Sequence, residues 1–184
     1  VYNYLNAGYG AQLKTNRKFR DTSAWYHIVI VYDSGNSTEA HRLRIYVNGE
    51  EESSFSTTNY PSLNEDSIIN HSGSPNDVGR QQNGSDFFLG YLADTILADG
   101  QAYAPTVFGS TNANGVWVPN SSPSVTYGTN GFRLQYKDSG SSAAASNFGA
   151  DTSGNNNHFS TVSIGTNPNT KDTPQSNFAT INLL

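Results

Sequence analysis

Cysteine and methionine are both absent from this chain of 184 residues, and lysine and arginine together number only 10. Without cysteine there is no disulfide, no thiolate nucleophile and no thiolate metal site. The compartment stays open, because a β-rich protein can do without cysteine in reducing and oxidising surroundings alike. No run approaches the ~20 apolar residues of a membrane-crossing helix, which excludes such a span. The net charge of −5 argues against a nucleic-acid binder, which needs a concentrated basic face. Lys14, Arg17, Lys18 and Arg20 form one local basic cluster, read as a solvated strand edge against the alternative of a face for a phosphate or an acidic glycan. Helical signal is missing too: Ser141 to Asn147 is the best candidate, and it is short and without apolar periodicity.

Aromatic and β-branched residues are what the chain does have. Eleven Tyr, nine Phe and two Trp supply much of the buried area that a hydrophobic fraction of only 35% leaves scarce. From Trp25 to Tyr32 nearly every residue is aromatic or β-branched, the composition of a largely buried strand. Leu43, Ile45 and Val47 then alternate with Arg42, Arg44 and Tyr46, which predicts an apolar face and a face open to solvent. Asn48-Gly49 accepts positive φ at both central positions of a tight turn and predicts a hairpin leading into Glu50 to Phe55. Weaker strand signals lie at 1–5 and 11–19. Residues 56–86 read as a long polar connection in which Ser67-Ile68-Ile69 and Asp77-Val78-Gly79 are short strand candidates. A strong strand signal returns at 87–103. After Gly109, turn signals recur every few residues around short apolar islands at 131–136 and 159–164.

The run Trp25-Tyr26-His27-Ile28-Val29 followed by Arg44-Ile45-Tyr46-Val47-Asn48-Gly49 resembles the laminin-G-like branch of concanavalin A-like jelly rolls. Phe87 to Gly100 is similar to the late strand of such domains, and Ala104 to Gly109 to the segment leaving it. Trp117-Val118-Pro119, Tyr127 to Phe132, Asp151 to Asn155 and Asp172 to Thr180 resemble segments found together in structural proteins of tailed, often marine, bacteriophages. The implied fold is all-β, an antiparallel jelly-roll β-sandwich over residues 1–108, with an extended loop-rich arm over 109–184 that packs on the sandwich or on a neighbouring subunit. Such a sandwich has several strands ahead of the Trp25 strand, and residues 1–24 offer about two. The expectation is an N-terminally incomplete domain.

A glycosidase on this fold would carry carboxylates two residues apart on one strand, projecting to one face. Glu39, Glu50, Glu51, Glu52 and Glu65 lie outside the strong strand cores, and Asp94 and Asp99 are five apart, so the expectation is no catalytic residue. His27 shares a face with Trp25 and Val29 and reads as a hydrogen-bonded core histidine. His41, His71 and His158 lack zinc spacing. Asp151, Asn155 and Asn157, with Ser153 around Gly154, alternate oxygen-bearing side chains in a faint echo of a calcium loop that lacks its bidentate Glu. An Asx-type turn is the competing reading. No cofactor is required by these residues, and calcium is the one candidate ion, carried at the sandwich rim by many laminin-G-like domains. For carbohydrate, aromatic platforms beside amides point to Trp117 with Asn114, then Tyr103 and Tyr60, against the alternative that these rings pack inside the protein.

The expected function is that of a non-enzymatic virion structural protein, a fibre, spike or capsid/tail decoration mediating assembly and adhesion to host surface glycans. Other virion proteins are the expected partners, and a homo-oligomer, a trimer by analogy with fibres, is the expected state. A secreted bacterial carbohydrate-binding module and a glycan-degrading enzyme are the alternatives.

Overall fold

A computed structural model describes residues 2–5, 8–70, 76–81, 86–164, 169, 173 and 174. His71, Asp172, Phe178 and the rest of the segment after Pro174 lie outside the described residues. Two compact units are formed, Val1–Leu89 with Ala102–Asn120, and Gly90–Gln101 with Ser121–Leu184.

The first unit is an antiparallel β-sandwich. One sheet holds β1 (Tyr2–Leu5), β2 (Gly8–Thr15) and β6 (Phe55–Asn59), in the order β1-β2-β6. The other holds β3 (Ile28–Tyr32), β4 (Leu43–Val47) and β5 (Glu50–Glu51), in the order β3-β4-β5. Ala11 and Leu13 of β2 meet Leu43, Ile45 and Val47 of β4 in a buried cluster, with Tyr26, Tyr32, Phe55 and Tyr60 packed around it. This is the predicted apolar face of β4, and it faces inward because alternate residues of a strand point to opposite sides.

The turn at Asn48-Gly49 forms as expected, with φ of 50° and 83° at its two central residues, the left-handed pair that suits the twist of flanking strands. β5 then ends at Glu51, and Phe55 opens a strand of the opposite sheet. The outer face of β4 departs from its pattern. Tyr46 is buried, with the Arg44 guanidinium over its ring and donating to its hydroxyl at 2.9 Å.

The largest departure is at 87–94. Its strand-forming residues join no sheet among the described residues, and β7 is confined to Thr95–Leu97. Phe87, Phe88, Leu89, Tyr91 and Leu92 are exposed instead. Ser67 to Ile69 and Asp77 to Gly79 are likewise not strands. The only helical turns among the described residues are 3-10 turns at Glu39–His41 and Pro105–Val107. β8 (Gly109–Thr111) and β9 (Trp117–Pro119) close a hairpin in the first unit.

The second unit pairs β7 with β10 (Phe132–Leu134). Among its described residues, Phe132 lies edge-on to Phe159 at 4.8 Å and Tyr136 stacks near Phe148 at 5.2 Å. The 159–164 island forms no strand.

Candidate functional site

A groove of about 370 Å³ opens on the sandwich beside β4, β5 and β6. Arg44 reaches it from β4, Glu51 from β5, Phe55 and Thr58 from β6, His41 from the 3-10 turn and Tyr60 from the end of β6. The β4–β5 hairpin brings Glu51 directly opposite Tyr46. Burial pushes the Tyr46 phenol up first, and the Glu51 carboxylate hydrogen-bonded to it pushes the same way, against the nearby Arg44 guanidinium. The phenol therefore stays neutral and links a cation to an anion at the groove edge. Arg44 Nε is buried with no hydrogen-bond partner among the described residues. Glu52, also on the groove, is buried and held by an ion pair to Arg17.

This collection of guanidinium, carboxylate, hydroxyls and two aromatic rings has the chemistry by which proteins hold polyhydroxylated ligands, with rings for sugar faces and charged groups for hydroxyls. Tyr60 was expected from the sequence. Arg44, Glu51 and His41 were not, because they come together only through the hairpin and the crossing to the second sheet.

The other expected carbohydrate residues are placed apart from this groove. Trp117 does not stand free in a loop. Its ring lies 5.5 Å from His27 and fills the space over Gly49 and Gly109: a Cβ on Gly109 would come 2.8 Å from the ring, and one on Gly49 would overlap it. Its indole N–H is buried with no acceptor among the described residues. Tyr103 is half-buried and edge-on to Phe108 at 6.1 Å. Asn114 is exposed in the β8–β9 turn, where its N–H donates to Asn112 Oδ1 at 2.9 Å. His27 exchanges backbone contacts with Asn48, donating to Asn48 Oδ1 and accepting from Asn48 N, both at 2.8 Å.

The calcium candidates do come together, but in another capacity. The Asp151 carboxylate accepts from the N–H groups of Arg133, Ser153 and Asn157 and from the Ser153 hydroxyl. Asn155 Nδ2 donates to the carbonyls of Gly128 and Gly131, and Asn157 Nδ2 to those of Thr129 and Gly131. Burial pushes the Asp151 carboxyl up, but the donors on it together pull harder and hold it below the usual carboxylate range. A cation shell needs oxygens converging on one point. Here the carboxylate is taken up by donors and the amides present N–H groups, so the set does not fit calcium and serves as the Asx-type turn. No cluster of three His, Cys, Asp or Glu able to hold a metal occurs among the described residues. Asp94 and Asp99 are likewise engaged: Asp94 grips Arg133 through two hydrogen bonds of 2.7 and 2.6 Å, and Asp99 accepts from Asn130 at 3.1 Å.

Residues 2–107 match the profile of a family described as the concanavalin A-like lectin/glucanases superfamily, of laminin-G type. No curated protein and no solved structure matches the chain. The matched span covers more than half of the chain, which therefore belongs to this superfamily.

Proposed function

We propose that this member of the concanavalin A-like lectin/glucanase superfamily is a non-catalytic glycan-binding module carried on a virus particle, where it mediates assembly and adhesion. The groove bounded by Arg44, Glu51, Thr58 and Tyr60 carries the reading. It offers a stacking ring and charged hydrogen-bonding groups on a rigid sandwich, the arrangement that fixes a sugar's orientation. Binding is favoured over hydrolysis by the carboxylates. Glu51 and Glu52 are neighbours rather than two apart on one strand, Glu52 is ion-paired to Arg17, and Glu51 acts on Tyr46. Neither is placed as the opposed acid of a glycosidase pair. The virion setting is supported by the phage-like segments Trp117 to Pro119, Tyr127 to Phe132 and Asp151 to Asn155.

The test is a glycan array read with the intact chain and with Tyr60→Ala and Arg44→Ala, together with an assay for reducing-end release on the glycans that bind. We expect at least ten-fold weaker binding for either variant and no turnover. Binding unchanged in both variants would remove the groove, and turnover would make the protein an enzyme.

A further inference from the structure

Glu51 edges the proposed groove, yet little of β5 itself holds it there. β5 is two residues long, and its rungs to β4 are Tyr46 with Glu51 and Val47 with Glu50. The Glu52 N–H adds one bond to the Ile45 carbonyl at 2.8 Å. So short a hairpin is marginal by its own pairing, and the place of Glu51 is set by the turn before it. Glu51 is hydrogen-bonded to the Tyr46 phenol, and Arg44 Nη1 donates to the same oxygen at 2.9 Å. A shift of the turn therefore moves the carboxylate and disturbs the phenol and guanidinium linked to it.

The turn is fixed from far along the chain. Asn48 is tied to the residue leading into β3, donating to the His27 carbonyl and accepting from the His27 N–H, both at 2.8 Å. Gly49 lies directly against the six-membered ring of Trp117, where a Cβ would overlap it. The opposite edge of that ring rests on Gly109, whose Cβ would come 2.8 Å from it, and His27 stands beside it at 5.5 Å. Pairing of Gly109 with Pro119 and of Thr111 with Trp117 anchors the indole to the β8–β9 hairpin. A rigid aromatic with few rotatable bonds passes the position of its backbone to its contact with little slack. Trp117 lies beyond the 2–107 span that matches the superfamily profile, and it is not among the residues lining the groove.

We infer that Trp117 is a positioning residue of the groove, setting through the Gly49 turn where Glu51 stands against Tyr46. The β8–β9 hairpin, outside the span shared with the superfamily profile, thus tunes what the groove accepts without altering the strands that build the core. The effect on binding rests on the glycan-groove reading, whereas the effect on the Glu51–Tyr46 contact stands without it.

NMR of the tyrosine rings, with Tyr46 assigned by Tyr46→Phe, reads that contact in the intact chain with no ligand present. The Tyr46 phenol titrates above the ordinary tyrosine range, held up by burial and by Glu51. Trp117→Ala is expected to bring it down toward that range and, on the glycans that the unaltered chain binds, to weaken binding roughly five-fold. Trp117→Phe, which keeps a flat ring at Gly49, should recover most of both. Leu13→Ala, a core truncation on the opposite sheet, is the control for lost stability and should leave the titration in place. If Trp117→Ala does not fold, Gly109→Ala displaces the ring without removing it and is read in the same way. An unchanged Tyr46 titration in the folded variant, or an equal fall in Leu13→Ala, overturns the inference. A chain that binds no glycan removes the groove as a site, and the Tyr46 titration still decides whether Trp117 positions Glu51.

Discussion

In the unit of residues Val1–Leu89 and Ala102–Asn120, two three-stranded sheets close on Leu13, Leu43, Ile45 and Val47, and the ordering of the chain is offset mainly by apolar burial. Among its described residues, the unit of Gly90–Gln101 and Ser121–Leu184 has one pair of three-residue strands. Its loops are instead tied by side chains bonded to backbone: Asp151 gathers three N–H groups, and Asn155 and Asn157 fasten the carbonyls of Gly128, Thr129 and Gly131. Apolar burial tolerates substitution by similar volumes, whereas a buried hydrogen-bond knot fails when one member leaves, because its partners stay desolvated and unpaired.

The contrast is broken most forcefully at Leu43, which is 1% exposed. Leu43→Ala is expected to cost about 3 kcal/mol and Leu43→Met less than about 1.5 kcal/mol, both read by urea unfolding. Both tryptophans, Trp25 and Trp117, lie in the sandwich unit, so their emission reports on it.

Asp151→Ala strands four donors and is expected to cost about 2 to 3 kcal/mol, seen as faster amide exchange at Phe132 to Leu134 with a smaller effect on tryptophan emission. The same carboxylate gives this unit a pH dependence. Its folded pKa is lowered, so its contribution is complete above the ordinary carboxylate pKa of about 4 and is lost as pH falls below that toward the depressed value. Stability measured from pH 7 to pH 2 should show this acid limb, and Asp151→Asn should flatten it. A limb unchanged by Asp151→Asn would mean that other carboxylates dominate.

Asn155→Ala removes the donor to two carbonyls, but Asn155 is exposed and water can take its place, so the expected cost is about 0.5 to 1 kcal/mol. Asp94→Asn loosens the two-point grip on Arg133, whose side chain is 12% exposed against 34% for Asp94. It should cost about 1 kcal/mol or less and diminish with salt. At the bottom of the scale, a chelator should leave the melting temperature unchanged, and a drop would reinstate calcium at Asp151.

The sandwich strands were legible because apolar alternation and the Asn48-Gly49 turn are local signals: β3, β4 and the turn from β4 into β5 each follow from residues close together in the sequence. The segment 87–94 carries the same local signal and takes no sheet partner among the described residues, since pairing depends on what lies alongside and not on propensity alone. The site divided in a similar way. Tyr60 was visible as an aromatic among amides, while Arg44 and Glu51 acquire their meaning from a register that places residues seven apart beside one groove. Trp117 was misplaced as an open platform because nothing in its neighbourhood of asparagines announces Gly49, 68 positions earlier, as the surface it covers. Asp151, Asn155 and Asn157 lie close in sequence and meet around the carbonyl of Gly131 and the Asn157 N–H, but only the direction of their hydrogen bonds separates a knot from an ion shell.

The ring of Trp117 occupies the volume that side chains at two glycines would need, one of which also sits at positive φ in the hairpin turn. Three distant positions therefore form a single heritable unit. Shrinking 117 opens a hole over the hairpin and still frees neither glycine, since a Cβ on Gly109 would also meet the Val118 carbonyl oxygen at 2.7 Å and Gly49 holds a φ of 83°. Mutational libraries should find 49 and 109 intolerant of larger residues whether or not 117 is reduced, so the turn that carries Glu51 toward the groove is held to its sequence.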